Sequence, residues 1–175
     1  TPAGEPIHHE LDLVADSAAA LNLSEESRKQ MTQLVAESGK LFGARHYSHY
    51  DFLLSLSARL GGIGLEHHQS TEISTDARLF LDWDKLLASK EVLAHEFVHS
   101  WNGKFRRPAD LWTPTFNVPM RNSLLWVYEG QTQYWGHVLS ARSGMLSAPQ
   151  ALEAAGPDQS ARCTRWRELI GAVHA

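Results

Sequence analysis

The sequence predicts an α+β fold with short strands early and a helix-rich second half. Three strand-like segments lie within the first 75 residues, and two long segments with helical spacing lie beyond residue 80. The chain has 175 residues, 43% of them hydrophobic and 21% charged, which is typical of a globular protein. This length predicts one domain with its own buried core.

The first two predicted elements are a strand and a helix. His9–Val14 alternates polar and apolar residues with a period of two, which indicates a strand. Glu25–Phe42 has apolar residues at helical intervals, with Ser24 directly before it and Gly43 directly after it. Ser is a favoured residue at a helix start and Gly at a helix end, so the spacing predicts a capped helix.

Two further strands flank a glycine-rich stretch. Tyr50–Ser57 is short and rich in aromatic and aliphatic residues, which predicts a core strand, and Thr71–Ser74 is a weaker strand candidate. Gly61, Gly62 and Gly64 lie between them. This density of glycine indicates a turn, or backbone that another group must approach closely.

A second helix is predicted from Asp84 to about Trp101, with Asp82 or Ser89 as its N-terminal cap. Lys104 and two arginines follow, where positive charge suits the negative end of the helix dipole. The segment Asn102–Asn122 contains three prolines and shows no periodicity, which predicts a long irregular loop.

A third helix is predicted over Leu124–Ser143, capped by Asn122 or Ser123 and closed by Gly144. The remaining segment, Ala148–Ala175, predicts one or two short helices around a Gly-Pro pair.

Composition excludes several classes of function. The net charge of −4 and the isoelectric point near 6.2 provide no basic face for nucleic acid. No apolar run approaches the roughly 20 residues that a membrane-spanning helix needs, so membrane insertion is not expected. Cys163 is the only cysteine, so no intrachain disulfide forms. Ten histidines favour metal chemistry without establishing it.

The strongest chemical signal is the HExxH sequence at His95–His99, inside the second predicted helix. Two histidines four residues apart lie on one face of a helix, about 6 Å from each other. Both rings can therefore bind one zinc ion. Glu96 lies beside the metal in this arrangement, where it can accept a proton from water. The alternative is a helix that carries two structural or surface histidines.

A catalytic zinc site needs a third protein ligand, and Glu129 is the best candidate. It lies within the apolar run of the third helix, where a buried carboxylate needs a partner. A solvated glutamate on an amphipathic helix is the alternative. Gly130 suggests a close approach to the zinc helix. Thr132 and Gln133 are candidates for hydrogen bonds to the ligands, or are surface residues.

Longer sequence strings resemble a known family. They are GLEH at 64–67, HEFVHSWN at 95–102, RP at 107–108 and LLWVYEGQTQYWG at 124–136. Together they resemble the glycyl aminopeptidases, which are gluzincin zinc metallopeptidases related to thermolysin. The resemblance covers about residues 42–144. It implies a thermolysin-like core, with an edge strand before the zinc helix.

The resemblance also implies roles for residues of the glycine-rich stretch. Glu66 matches the glutamate that holds the substrate's free amine, and Gly64 would let the substrate approach the edge strand. Relatives often carry a β-rich N-terminal domain and a C-terminal PDZ domain. We therefore expect residues 1–175 to form one catalytic domain of a longer protein. The resemblance also implies an oxyanion donor, Tyr or His, well downstream of Glu129. We expect it outside this chain, because Tyr134 should face away from zinc.

The sequence thus predicts a zinc aminopeptidase with one Zn²⁺ per chain. In this prediction His95, His99 and Glu129 bind the metal, Glu96 is the general base and a peptide with a free N-terminus is the substrate. Two alternatives are an endopeptidase on the same zinc core and a zinc-bearing peptide-binding module with little turnover. The sequence leaves open the preferred N-terminal residue, the oligomeric state and the compartment, either cytoplasmic or periplasmic.

Overall fold

A computed structural model describes residues 7–156, which form a mixed α+β fold with one small sheet and four α-helices. The elements, in chain order, are β1 (His8–Ala15), α1 (Glu25–Phe42), β2 (His49–Leu56), β3 (Ile63–Glu66), β4 (Ser70–Thr75), α2 (Leu87–Val98), a π-helical segment (Trp126–Gln131), α3 (Thr132–Arg142) and α4 (Ala148–Ala155). Short 3₁₀ turns lie at Ala18–Leu21 and Ala109–Leu111.

The four strands form one sheet in the order β1-β2-β4-β3. The first three strands in this order are parallel, and β3 pairs antiparallel with β4. Gly64 of β3 lies opposite Ile73, and Glu66 lies opposite Thr71. Because β3 is at the edge, one side of its backbone has no neighbouring strand in the sheet.

The elements predicted for the first half of the chain are confirmed. Ser24 accepts a hydrogen bond from the Ser27 N–H at 3.0 Å and starts α1, as the cap pattern predicts. Gly43 ends the helix with φ of 68°, a backbone conformation that glycine adopts without steric cost. The weaker strand candidate is β4, and the glycine-rich stretch comprises a turn and the start of β3.

The apolar side of α2 fixes this helix on the sheet. Leu93, Ala94, Phe97 and Val98 are fully buried at helical spacing. The Phe97 ring contacts a cluster of aromatic rings, which are those of Tyr47, Tyr50, Phe52 and Trp101. Burial of this side turns the other side of α2, with His95 and His99, toward the third helical region.

The α2 helix is shorter than predicted, and neither predicted cap is used. Leu86 occupies the N-cap position without a side-chain hydrogen bond. Asp82 instead pairs with Arg78 and Lys85 in the preceding turn. At the other end, the Ser100 N–H bonds to the Phe97 carbonyl, so the last turn tightens before the predicted end at Trp101.

The third predicted helix is not a continuous α-helix. Its first part, Trp126–Gln131, is π-helical, and α3 begins at Thr132. Neither Asn122 nor Ser123 caps it. The Asp110 carboxylate, from the long loop, accepts the Leu124 N–H at 3.3 Å. A side chain distant in sequence thus provides the acceptor that the local sequence was expected to supply.

Gly136, and not Gly130, allows the close approach of the two site helices. A Cβ at Gly136 would lie 3.3 Å from both the Cα and the backbone N of His95. A Cβ at Gly130 would contact nothing within 4 Å. The interpretation of Gly130 as the close-approach position is therefore wrong, and the residue six positions later has that role.

The predicted loop over residues 102–122 is confirmed and contains one 3₁₀ turn. Gly144, with φ of 79°, follows α3 as predicted. The first of the predicted C-terminal helices is α4, and the part of that prediction beyond residue 156 lies outside the described residues. Among residues 7–156, no helix combines the length and apolar character needed to cross a membrane.

We expect Gly136→Val to destabilise the protein by about 1–3 kcal/mol, because the added atoms press on the His95 backbone. Gly130→Val is the matched control, since its side chain meets open space, and should change stability by less than about 0.5 kcal/mol. Urea denaturation of the two variants checks this. Equal stability of the two variants would contradict the close-approach role of Gly136.

Candidate functional site

The predicted ligand residues meet where α2 faces the π-helical segment. His95 and His99 Nε2 are 3.1 Å apart, and Glu129 Oε2 lies 3.3 Å from the first and 3.5 Å from the second. The three atoms form a nearly equilateral triangle. His99 is fully buried, and the other two side chains are partly buried.

Hydrogen bonds on the far side of each imidazole fix the ring orientations. His95 Nδ1 lies 2.8 Å from Gln133 Oε1, and His99 Nδ1 lies 2.9 Å from the Asn102 carbonyl. Both partners are acceptors, so each Nδ1 carries the proton and each neutral ring leaves a lone pair at Nε2. Both lone pairs then point to the same small region as the Glu129 carboxylate.

This donor set fits a zinc ion. Tetrahedral ligand atoms about 2.0–2.1 Å from zinc are separated by about 3.3 Å, close to the sides of the triangle. Two imidazole lone pairs and a carboxylate oxygen at these distances repel one another unless a cation or proton lies between them. Two histidines and one glutamate are also a ligand set found in catalytic zinc sites.

The electrostatics of the triangle favour a charged carboxylate. Burial acts to raise the pKa of Glu129. Without a metal ion, hydrogen bonds from the His95 and His99 rings, which require a proton on Nε2, lower this pKa to about 2. Burial acts to lower the pKa of His95, and the Glu129 carboxylate together with Glu96 raises it above its ordinary value. The site therefore presents negative charge to whatever occupies the centre of the triangle.

Glu96 lies on the same side of the helix as the β3 edge. Its side chain is buried, and its Oε2 atom has no hydrogen-bond partner among the described residues. Burial, with the charges of Glu66 and Glu129, raises the pKa of Glu96 although the two histidines act against the shift. A Cβ at Gly64 would overlap Glu96 Oε1, so only glycine leaves room for this carboxylate.

Glu66 ends β3 and lies near Glu96 and His99. Its Oε1 accepts a hydrogen bond from the Tyr128 hydroxyl and lies 3.3 Å from Lys104 Nζ. Lys104 was expected to interact with the helix dipole, but its ammonium group instead forms an ion pair with Glu66. Burial acts to raise the pKa of Glu66, but the Tyr128 hydrogen bond and the Lys104 charge hold it below its usual value.

A second group of possible ligand atoms overlaps the first. Oxygens of Glu66 and Glu96 and a nitrogen of His99 lie within 4.8 Å of one another. This group and the His95, His99 and Glu129 triangle are the two metal-binding candidates among residues 7–156. Since they share His99, the two groups adjoin each other between β3, α2 and the π-helical segment.

Asn102 anchors the π-helical segment beside the HExxH helix. Its Nδ2 donates to the carbonyls of Val127 and Tyr128, at 2.9 and 3.1 Å, and lies 3.0 Å from Thr132 Oγ1. Its own carbonyl accepts from His99. Asn102, which lies just beyond the HExxH helix, therefore orients the His99 ring and also holds the segment that carries Glu129.

Gln133 hydrogen-bonds to His95, which was one of the possibilities considered from the sequence. It also contacts Glu91 and His137, which lie farther from the candidate ligand atoms. Its Nε2 donates to Glu91 and lies 3.2 Å from His137 Nε2, while its Oε1 accepts from His95. Thr132 lies 3.4 Å from His99 Nδ1 and donates to the Tyr128 carbonyl at 2.6 Å. His137 is therefore close to Gln133 and Glu91, and not to the ligand atoms.

Sequence reasoning missed Tyr128 and Lys104. Tyr128 stood next to Glu129 and counted only as part of an apolar run, yet its hydroxyl reaches Glu66 and its ring packs 4.8 Å from the His99 ring. The position of Tyr128 directly before the predicted ligand Glu129 is a sequence signal that could have identified this tyrosine. Tyr134, which the sequence placed away from zinc, is exposed and contacts Trp135.

Comparisons with known proteins find similarity to aminopeptidases. The family model of the M61 glycyl aminopeptidases matches residues 88–165, which include both histidines and Glu129. The crystal structure of an aminopeptidase N family protein from Idiomarina loihiensis superposes with a TM-score of 0.71 at 24% identity. The match covers 83% of this chain and 25% of that one, so this chain spans about a quarter of its length. A search of curated proteins finds no match.

We expect Asn102→Ala to lower the free energy of unfolding by about 1–3 kcal/mol, because it removes the amide donor to the partly buried carbonyls of Val127 and Tyr128. Asn117→Ala, at an exposed loop position, is the matched control and should have an effect below about 0.5 kcal/mol. Thermal denaturation of the metal-free proteins measures both. An Asn102→Ala variant as stable as the control would show that these hydrogen bonds do not hold the segment.

Proposed function

Because the family model of the M61 glycyl aminopeptidases matches residues 88–165, we propose that the chain belongs to this family and carries the catalytic centre of a zinc aminopeptidase. The observation that carries the proposal is the triangle of His95, His99 and Glu129 atoms, whose sides of 3.1–3.5 Å fit one zinc ion. The reaction is hydrolysis of the peptide bond that follows the N-terminal residue of a substrate.

Zinc in such a site acts as a Lewis acid, which polarises a carbonyl group and acidifies water. His95, His99 and Glu129 are the residues that would hold one zinc ion per chain. Gln133 and the Asn102 carbonyl keep both imidazoles in the required tautomer.

Glu96 is the general base of the proposed reaction. Its buried Oε2 is free to accept a proton from water and to deliver it to the leaving amine nitrogen. Because burial raises its pKa, Glu96 is a stronger base than an exposed carboxylate. It therefore holds the transferred proton more readily during the reaction.

The edge strand β3 supplies the proposed substrate position. An edge strand offers free N–H and C=O groups to an extended peptide. A groove lined by residues of β3, β4 and the first part of α2, among them Gly64, Ile73 and Val92, lies beside this strand. Gly64 keeps this approach open beside Glu96. Glu66, at the end of β3, would bind the α-ammonium group and select a free N-terminus over an internal amide.

We further propose that residues 1–175 form one thermolysin-like catalytic unit. The mixed α+β architecture, with an edge strand preceding the helix that carries HExxH, supports this arrangement. The β-rich and PDZ domains that the family resemblance implies stay a prediction, as does the oxyanion donor downstream of Glu129.

We expect Glu96→Gln to retain the fold and the zinc but to lose hydrolysis by about 10²-fold or more, because an amide cannot accept the proton from water. Glu72→Gln, an exposed position on β4, is the matched control and should keep wild-type turnover. The assay follows products from short peptides with free and acetylated N-termini, at equal zinc content.

Three outcomes of this assay separate the alternatives. Cleavage of free peptides alone supports the aminopeptidase proposal. Equal cleavage of the acetylated peptides indicates an endopeptidase, and peptide binding without cleavage by the zinc-loaded wild type indicates a binding module. Full activity of Glu96→Gln would place the general base elsewhere.

A further inference from the structure

The carboxylate proposed to bind the substrate amine already has an ammonium partner in this chain. Lys104 Nζ lies 3.3 Å from Glu66 Oε1, and the two side chains are only 15% and 20% exposed. Lys104 comes from the turn after the HExxH helix, and its N–H bonds to the His99 carbonyl at 2.9 Å. The backbone hydrogen bond fixes the position of Lys104 at the border of the site. The low exposure of both side chains largely shields the ion pair from solvent.

A lysine side chain and a peptide N-terminus present the same chemical group. Each offers a primary ammonium with three N–H donors and one positive charge. A substrate ammonium at Glu66 would lie within a few ångströms of Lys104 Nζ. In a partly buried site, repulsion between two such cations is comparable to the attraction that either has for the carboxylate.

We propose that Lys104 is a specificity-determining residue that competes with the substrate's α-ammonium for Glu66 and so weakens the hold of the site on free amines. This inference rests on the proposed function, because it takes Glu66 as the amine-binding group. Its consequence is that the released amino acid, which carries the same ammonium, leaves more readily. The site then binds substrates and products that carry a free amine less tightly.

Tyr128 makes the direction of the effect testable. Its hydroxyl donates to the same Oε1 atom, so Glu66 keeps one fixed hydrogen bond when Lys104 is replaced. Tyr128 is itself held, since its ring lies against His99 and fits over Gly103, where a Cβ would lie 2.8 Å from the ring. Removal of the lysine charge should therefore free the carboxylate without misplacing it.

The experiment measures glycinamide binding by calorimetry to the wild type, Lys104→Met and Lys104→Arg, with N-acetylglycinamide as the uncharged probe. We expect Lys104→Met to bind glycinamide about tenfold more tightly than the wild type. Lys104→Arg keeps the charge and should resemble the wild type, and affinity for N-acetylglycinamide should be the same in all three. With zinc and a free peptide, the change should appear in KM and not in kcat.

Unchanged or weaker glycinamide binding by Lys104→Met, or no glycinamide binding by any of the three proteins, would overturn the proposal. Circular dichroism of each variant checks that the fold is kept. Failure of the proposed function has a different signature. In that case the zinc-loaded wild type does not cleave free peptides, although Lys104→Met still gains affinity for glycinamide.

Discussion

The packing of α2 against the π-helical segment is the contact on which the site depends. Neither element holds all three candidate ligands, because His95 lies in α2, His99 is the residue that caps its C-terminal end, and Glu129 lies in the other segment. Gly136 lets the backbones approach, and Asn102 ties the carbonyls of the π-helical segment to the end of the HExxH helix. The aromatic cluster around Phe97 fixes the other side of α2 on the sheet.

The same contact explains why a π-helix occurs where it does. A π-helical turn contains an extra residue relative to an α-helix, which rotates the side chains that follow it. Glu129 lies within this segment and Gln133 just after it, and both reach the histidine pair. π-Helical turns are frequent at functional sites. Here the π-helical segment directs Glu129 toward the two histidines and places Gln133 where it hydrogen-bonds to His95.

The charges of the cavity are balanced across two neighbouring centres. Glu129 faces the histidines, while Glu66 faces Lys104 and Tyr128, and Glu96 lies between them without a partner for Oε2. An unpaired buried carboxylate is costly and is typical of functional sites, which supports the proposed role of Glu96 as a proton acceptor. In the proposed function, metal binding, proton transfer and amine binding belong to three different glutamates.

Much of this could be predicted from local sequence. The capped helix α1, the strands and the HExxH face follow from periodicity and caps that act over a few residues. Glu129 stood out because a carboxylate in an apolar run needs a partner. The failures concern long-range contacts. Asp110 replaces a local cap, Gly136 takes the place expected of Gly130, and Lys104 reaches Glu66 across the cavity.

Zinc affinity in Glu129→Ala and Glu66→Ala tests the central claim most directly, because the two glutamates belong to the two candidate ligand groups. Competition against a chelator measures it, beside the zinc content of the wild type. We predict one zinc per wild-type chain, a loss of affinity of at least about a hundredfold in Glu129→Ala and near wild-type affinity in Glu66→Ala. Retention of zinc by Glu129→Ala together with its loss from Glu66→Ala would contradict this account.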